Sequence, residues 1–118
     1  MLTETQPQQL LDEAKKWIEH LVTYVASINE LKNKFYKWAA GKSGHDVLVQ
    51  IEHFHNQFHI QLINLHDLKH SIKGHMQVVK LYADADHSSQ HQQLEDQYNF
   101  LVNDLDHLQT DFIAFISD

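Results

Sequence analysis

The sequence predicts an all-α protein, an elongated antiparallel up-down-up bundle of three long helices. Apolar residues recur along the chain at alternating steps of four and three, which is the spacing of helices that pack against other helices. The single proline is Pro7 and the three glycines stand at positions 41, 44 and 74, so the chain has few internal breaks. We expect residues 1–118 to form one helical domain, because 118 residues suit one domain and not two.

The first helix is expected over about residues 6–40. Pro7 suits its first turn, and Gly41 and Gly44 supply the stop signal at its end. The residues of its inner stripe are Leu10, Ala14, Trp17, Leu21, Tyr24, Ile28, Leu31, Phe35 and Trp38.

The second helix is expected over about residues 45–83. Its stripe consists of Val47, Ile51, Phe54, Phe58, Gln61, Leu65, Leu68, Ile72, His75, Val79 and Tyr82. Gly74 costs about 1 kcal/mol relative to Ala in a helix interior, and a break there would give a four-helix bundle as the alternative. The stripe continues in register beyond Gly74, which favours one helix. Gln61 is a polar stripe residue that could pair with Tyr24 at a comparable level of the first helix.

The third helix is expected over about residues 88–117, after a turn rich in Asp and Ser that offers several N-caps. Its stripe consists of Leu94, Tyr98, Leu101, Leu105, Leu108, Phe112 and Phe115. Extending the same register backwards adds His87 and His91 at the start of the helix. Short turns between long helices make neighbouring helices antiparallel.

The composition excludes several classes of function. The formal net charge is −7 and the nine basic residues are all lysines, which disfavours nucleic-acid binding because phosphate neutralisation dominates that affinity. No cysteine is present, so disulfides, thiolate nucleophiles and Cys-ligated metals are excluded. No apolar run approaches 18 residues and no signal-peptide core is seen. We therefore expect a soluble, cytoplasmic protein with no membrane partner.

No catalytic motif is present: the sequence lacks a G-x-S-x-G elbow, a P-loop and an H-E-x-x-H zinc motif. The leading hypothesis is therefore a non-enzymatic interaction or structural module, acting as a homodimer or docking on a protein partner. Val49, Ile60 and Ile63 project together from the face of the second helix opposite its stripe. We predict that this face is the interaction surface.

Eleven histidines favour an alternative hypothesis, a His-rich helical bundle that binds Zn or non-haem Fe. Imidazoles four residues apart lie one helical turn apart and can chelate such metals. Glu52, His55 and His59 fall on one flank of the second helix and form the best local set of metal ligands. Without such a site the protein needs no cofactor, and these residues are a solvated flank.

His75, His87 and His91 differ from the other histidines because they occupy stripe positions. Antiparallel pairing of the second and third helices brings them toward one end of the bundle, near the start of the first helix. They form either a polar cap on the core or a small cluster that binds metal or senses pH.

Overall fold

The computed structural model describes residues 5–117, which form three helices: Thr5–Ala39 (α1), His45–Leu81 (α2) and Ser88–Ser117 (α3). All three pairs of helices are in contact, and the bundle measures 64 × 18 × 18 Å. The predicted all-α bundle of three long helices is confirmed, and the predicted helix ends lie within two residues of the observed ones. No stretch of residues 5–117 combines the length and apolarity that a membrane-spanning helix requires.

Gly74 lies within an unbroken α2, so the four-helix alternative is wrong. Its φ is not positive, unlike the φ of the two other glycines. Stripe residues on both sides of it, Ile72 and Val79, are fully buried. Their burial holds the helical register and offsets the conformational cost of the glycine, which is about 1 kcal/mol.

The connection between α1 and α2 depends on two glycines. Gly41 has φ of 79° and Gly44 has φ of 114°, a region that L-residues with a side chain rarely adopt. The amide of Lys42 donates a 3.1 Å hydrogen bond to the carbonyl oxygen of Ala39. The glycines therefore reverse the chain direction at the position that the sequence predicts.

The core is formed by the predicted stripes, with one exception at the end of α2. Tyr82 was expected in the stripe, but α2 ends at Leu81 and Tyr82 is 64% exposed. The chain turns away from the bundle at this point, so the helical register no longer directs the side chain inward. The buried apolar residues that form the core cluster are Ala14, Trp17, Leu21, Ile28, Phe35, Phe54, Phe58, Leu65, Leu68, Ile72, Leu94, Leu101, Leu105, Leu108 and Phe112.

The pairing of Gln61 with Tyr24, one of the possibilities that the sequence leaves open, is not formed. Gln61 is buried as predicted, but its side-chain oxygen accepts a 3.1 Å hydrogen bond from Asn64, one turn further along the same helix. The Tyr24 hydroxyl instead donates a 2.7 Å hydrogen bond to Asp106 of α3. Burial, together with Asp106, raises the pKa of Tyr24 to about 12.

Candidate functional site

Three histidines come together at the end of the bundle where α1 begins, α2 ends and α3 begins. His75, His87 and His91 are all buried, and a 3.0 Å hydrogen bond joins Nε2 of His75 to Nδ1 of His91. The rings of His75 and His87 lie edge to face, with centroids 6.5 Å apart. We call this group the histidine cluster.

The α2–α3 connection positions His87 and the first turn of α3. Nε2 of His87 donates a 2.7 Å hydrogen bond to the carbonyl oxygen of Tyr82. Asp86 accepts hydrogen bonds from the backbone amide and the hydroxyl of Ser88, which caps the start of α3. The Ser88 hydroxyl and amide hold the pKa of the Asp86 carboxyl below its usual value. These bonds fix the start of α3 and, with it, the position of His91 one turn later.

Helix α1 covers the histidine cluster with an aromatic and an acidic side chain. The ring of Trp17 stacks on His91, with centroids 4.6 Å apart, and on Tyr98 at 5.7 Å. One turn before Trp17, Glu13 places a carboxylate oxygen 3.6 Å from Nε2 of His91. Among residues 5–117, one set of three His, Asp or Glu ligand atoms within 4.8 Å of one another is found, formed by Glu13, His91 and Glu95.

Burial shifts the pKa of two side chains at this end of the bundle, His75 and Tyr98. It lowers the pKa of His75, and the neighbouring His91 and His87 lower it further. The neutral imidazole is therefore favoured, because a charge at His75 would be poorly solvated and would face two further imidazoles. Burial also raises the pKa of Tyr98, whose hydroxyl is hydrogen-bonded to Nδ1 of the exposed His20.

His87 separates two surface cavities. The larger, of about 410 Å³, lies between the start of α1 and the α2–α3 connection. Its lining is Gln6, Pro7, Gln8, Leu10, Leu11, Val79, Lys80, Ala83, Asp84, Ala85 and His87. The smaller, of about 290 Å³, lies between α2 and α3 and is lined in part by His75 and His87. His87 thus lines both cavities, and His75 lines the smaller one.

The metal ligands predicted on α2 lie on the outside of the bundle. Glu52, His55 and His59 are all exposed. Nδ1 of His55 is hydrogen-bonded to the hydroxyl of Tyr36 at 3.2 Å, and these residues are not part of the close set of three described above. Metal binding at Glu52, His55 and His59 stays a prediction.

The predicted interaction face is exposed on the side of α2 away from the core. Val49, Ile60 and Ile63 are 46–48% exposed, and Val78 and Leu81 extend the same line with 44% and 75% exposure. At 100° per residue, these five positions span roughly 60° of the helix circumference. Asn56, Asp67 and Gly74 lie between them in the same sector. We call the five apolar residues the α2 outer face.

Sequence reasoning singled out His75, His87 and His91, but not Glu13 or Glu95. The spacing of four residues places Glu95 beside His91 on one helix face, and this signal is local. Glu13 belongs to another helix, and its contact with His91 depends on the longitudinal register between α1 and α3. Helical periodicity specifies which side of each helix is buried and leaves that register open.

In comparisons with known proteins, no family model, curated protein or solved structure matches this chain.

Proposed function

We propose that the protein is a non-enzymatic helical interaction module that forms a homodimer through the α2 outer face. The observation that carries this proposal is the line of exposed apolar residues described above, which runs along α2 from Val49 to Leu81. Burying such residues against a partner is favourable by about 25 cal/mol per Å² of apolar surface. An apolar line on one helix suits a second helix laid alongside it.

The arrangement of the line favours a second copy of this chain as the partner. A two-fold axis requires the same patch to be complementary to itself. Val49 lies 14 residues before Ile63, and Val78 lies 15 residues after it, which is about 21 and 23 Å along the helix. An antiparallel pair of α2 helices centred near Ile63 would bring Val49 of one copy opposite Val78 of the second copy, and Ile60 opposite Asp67.

The distribution of charge also favours association through α2. Three carboxylates and three lysines balance within α2: Asp46, Glu52, Asp67, Lys69, Lys73 and Lys80. By contrast, α3 carries five carboxylates and no lysine: Glu95, Asp96, Asp104, Asp106 and Asp111. Like charges oppose association, so two copies repel each other along α3 and not along α2.

The test is the molar mass in solution, measured by light scattering. We expect the wild-type protein to have twice the mass of one chain, and Ile60→Glu/Ile63→Glu to have the mass of one chain. The matched control is Val22→Glu/Ile113→Glu, which adds the same charge at two equally exposed apolar positions of α1 and α3 and should leave the dimer intact. A monomeric wild-type protein at about 100 μM, where even a weak dimer of micromolar Kd would assemble, contradicts the proposal.

A metal site at Glu52, His55 and His59 is a second candidate, favoured by their placement on one exposed flank of α2. Imidazole and carboxylate ligands suit Zn²⁺ and non-haem iron. Equilibrium dialysis against Zn²⁺ tests it, with His55→Ala/His59→Ala as the variant. Unchanged zinc stoichiometry in that variant removes this site from consideration.

A further inference from the structure

The histidine cluster contains a buried nitrogen that has no hydrogen-bond partner among residues 5–117. His91 is 6% exposed, and its Nε2 makes no hydrogen bond within the described part of the chain. Buried side-chain nitrogens are nearly always paired, because leaving one unpaired costs the free energy of removing it from water. Nε2 of His91 therefore points to a ligand.

One carboxylate lies near this nitrogen at about the separation of two ligands on one metal ion, and a second carboxylate lies close by. Oε1 of Glu13 lies 3.6 Å from Nε2 of His91, which is too long for a hydrogen bond. Two ligands bound at 2.0–2.2 Å to one tetrahedral ion lie about 3.4 Å apart. The carboxylate of Glu95, one turn after His91, completes a set of three ligand atoms within 4.8 Å of one another.

The other nitrogen of His91 is held as it is in metal-ligating histidines. A ligating imidazole usually donates its second N–H to a neighbouring acceptor, which fixes the tautomer and the ring orientation. Nδ1 of His91 lies 3.0 Å from Nε2 of His75, and Trp17 stacks on the His91 ring from the α1 side. Nδ1 thus has a partner that leaves Nε2 free as a metal ligand.

We propose that Glu13, His91 and Glu95 bind one divalent first-row transition-metal ion, with His75 as the residue that orients His91. One imidazole and two carboxylates are a mixed nitrogen and oxygen set, which suits Zn²⁺, Fe²⁺ or Mn²⁺ and disfavours Cu⁺. The ion joins α1 to α3 at the end of the bundle where both helices begin. This site shares no residue with the α2 outer face or with Glu52, His55 and His59.

Zinc binding to untagged protein tests the site. In the His55→Ala/His59→Ala background, which removes the second candidate site, equilibrium dialysis should give one Zn²⁺ per chain. Adding Glu13→Gln or Glu95→Gln to that background should lower the affinity about tenfold or more. His91→Ala should abolish binding at this site. Because both Gln variants keep the size of the side chain at half-buried positions, they should retain the wild-type helicity, which circular dichroism checks.

The matched control is His55→Ala/His59→Ala, which removes two exposed histidines and should leave this zinc site unchanged. A second readout uses Trp17, whose ring lies 4.6 Å from that of His91. In a Trp38→Phe background, Co²⁺ should quench Trp17 fluorescence, and Glu13→Gln should prevent the quenching at the same Co²⁺ concentration. Absence of bound zinc in the His55→Ala/His59→Ala background overturns the proposal, as does zinc binding that both Gln variants leave unchanged.

Discussion

The two ends of the bundle use the same helical register to bury very different side chains. At the end where α1 and α3 finish and α2 begins, aromatic rings fill the stripes: Phe35, Trp38, Phe54, Phe58, Phe112 and Phe115. The ring centroids of Phe58 and Phe112 are 5.0 Å apart, in an edge-to-face arrangement that favours aromatic pairs. At the opposite end, equivalent stripe positions hold His75, His87 and His91. The helical pattern thus determines which positions are buried. The residue type at each position determines whether the buried side chain needs a polar partner.

The two ends of the bundle therefore make different contributions, one to stability and one to binding. The phenylalanine rings at one end carry no polar atoms, so their burial contributes to stability without polar partners. Each buried imidazole has two ring nitrogens that need partners, and the residues that the structure describes offer no hydrogen bond to Nε2 of His91. The aromatic end is therefore the stabilising half, and the histidine end is the half suited to binding.

The largest expected effect is at the aromatic end. Phe58→Ala removes a fully buried ring that packs against Phe35 and Phe112 and should lower the free energy of unfolding by about 3–5 kcal/mol. His75→Ala should cost less, about 1–3 kcal/mol, because it leaves Nδ1 of His91 without its partner. Urea unfolding at pH 7.5, followed by circular dichroism, compares the two variants. Equal losses would mean that the two ends do not differ in their contribution to stability.

Acid should weaken the histidine end. The pKa of His75 is lowered by burial and by His91 and His87, while the unfolded chain has the ordinary value of about 6.5. Below about pH 6.5, His75 binds a proton more readily in the unfolded chain than in the folded protein. The free energy of unfolding therefore falls as the pH decreases. In EDTA, the urea midpoint should fall less between pH 7.5 and 5.0 in His75→Leu than in the wild type. The control is His107→Leu at an exposed position, which should keep the wild-type pH dependence. If His75→Leu also kept the wild-type pH dependence, His75 would not be the group that makes the protein sensitive to acid.

A smaller change in stability, in the stabilising direction, is expected for a substitution at Gly74, next to His75. A Cβ added at Gly74 would meet no atom within 4 Å, and Gly74 lies within α2. Gly74→Ala should therefore raise the free energy of unfolding by about 1 kcal/mol. The matched control is Gly44→Ala, where φ of 114° makes any side chain strained and stability should fall. Thermal unfolding of both variants measures the contrast, and a destabilised Gly74→Ala would show that the glycine is needed in α2.

The sequence predicts the helices well because their signals are local. The steps of four and three identify the buried residues of α1, α2 and α3, including Gln61 and the three stripe histidines. These signals do not predict contacts between side chains of two different helices. Periodicity does not specify the level at which Glu13 meets His91, or that Tyr24 faces Asp106 and not Gln61. The homodimer, the metal site on α2, the absence of nucleic-acid binding and the cytoplasmic location stay predictions.

The elongated shape, 64 Å long and 18 Å across, also has a consequence for how the protein opens. Each layer of the core touches mainly the layers directly above and below it, as in repeat proteins, where stability is nearly a sum over neighbours. Local opening can then begin at the histidine end while the aromatic end stays closed. Amide hydrogen exchange should show a gradient of protection along each helix, with fast exchange near Leu10, Val79 and His91 and slow exchange near Phe35 and Phe58. A ligand bound at the histidine end would flatten that gradient and make the rod open as a single cooperative unit.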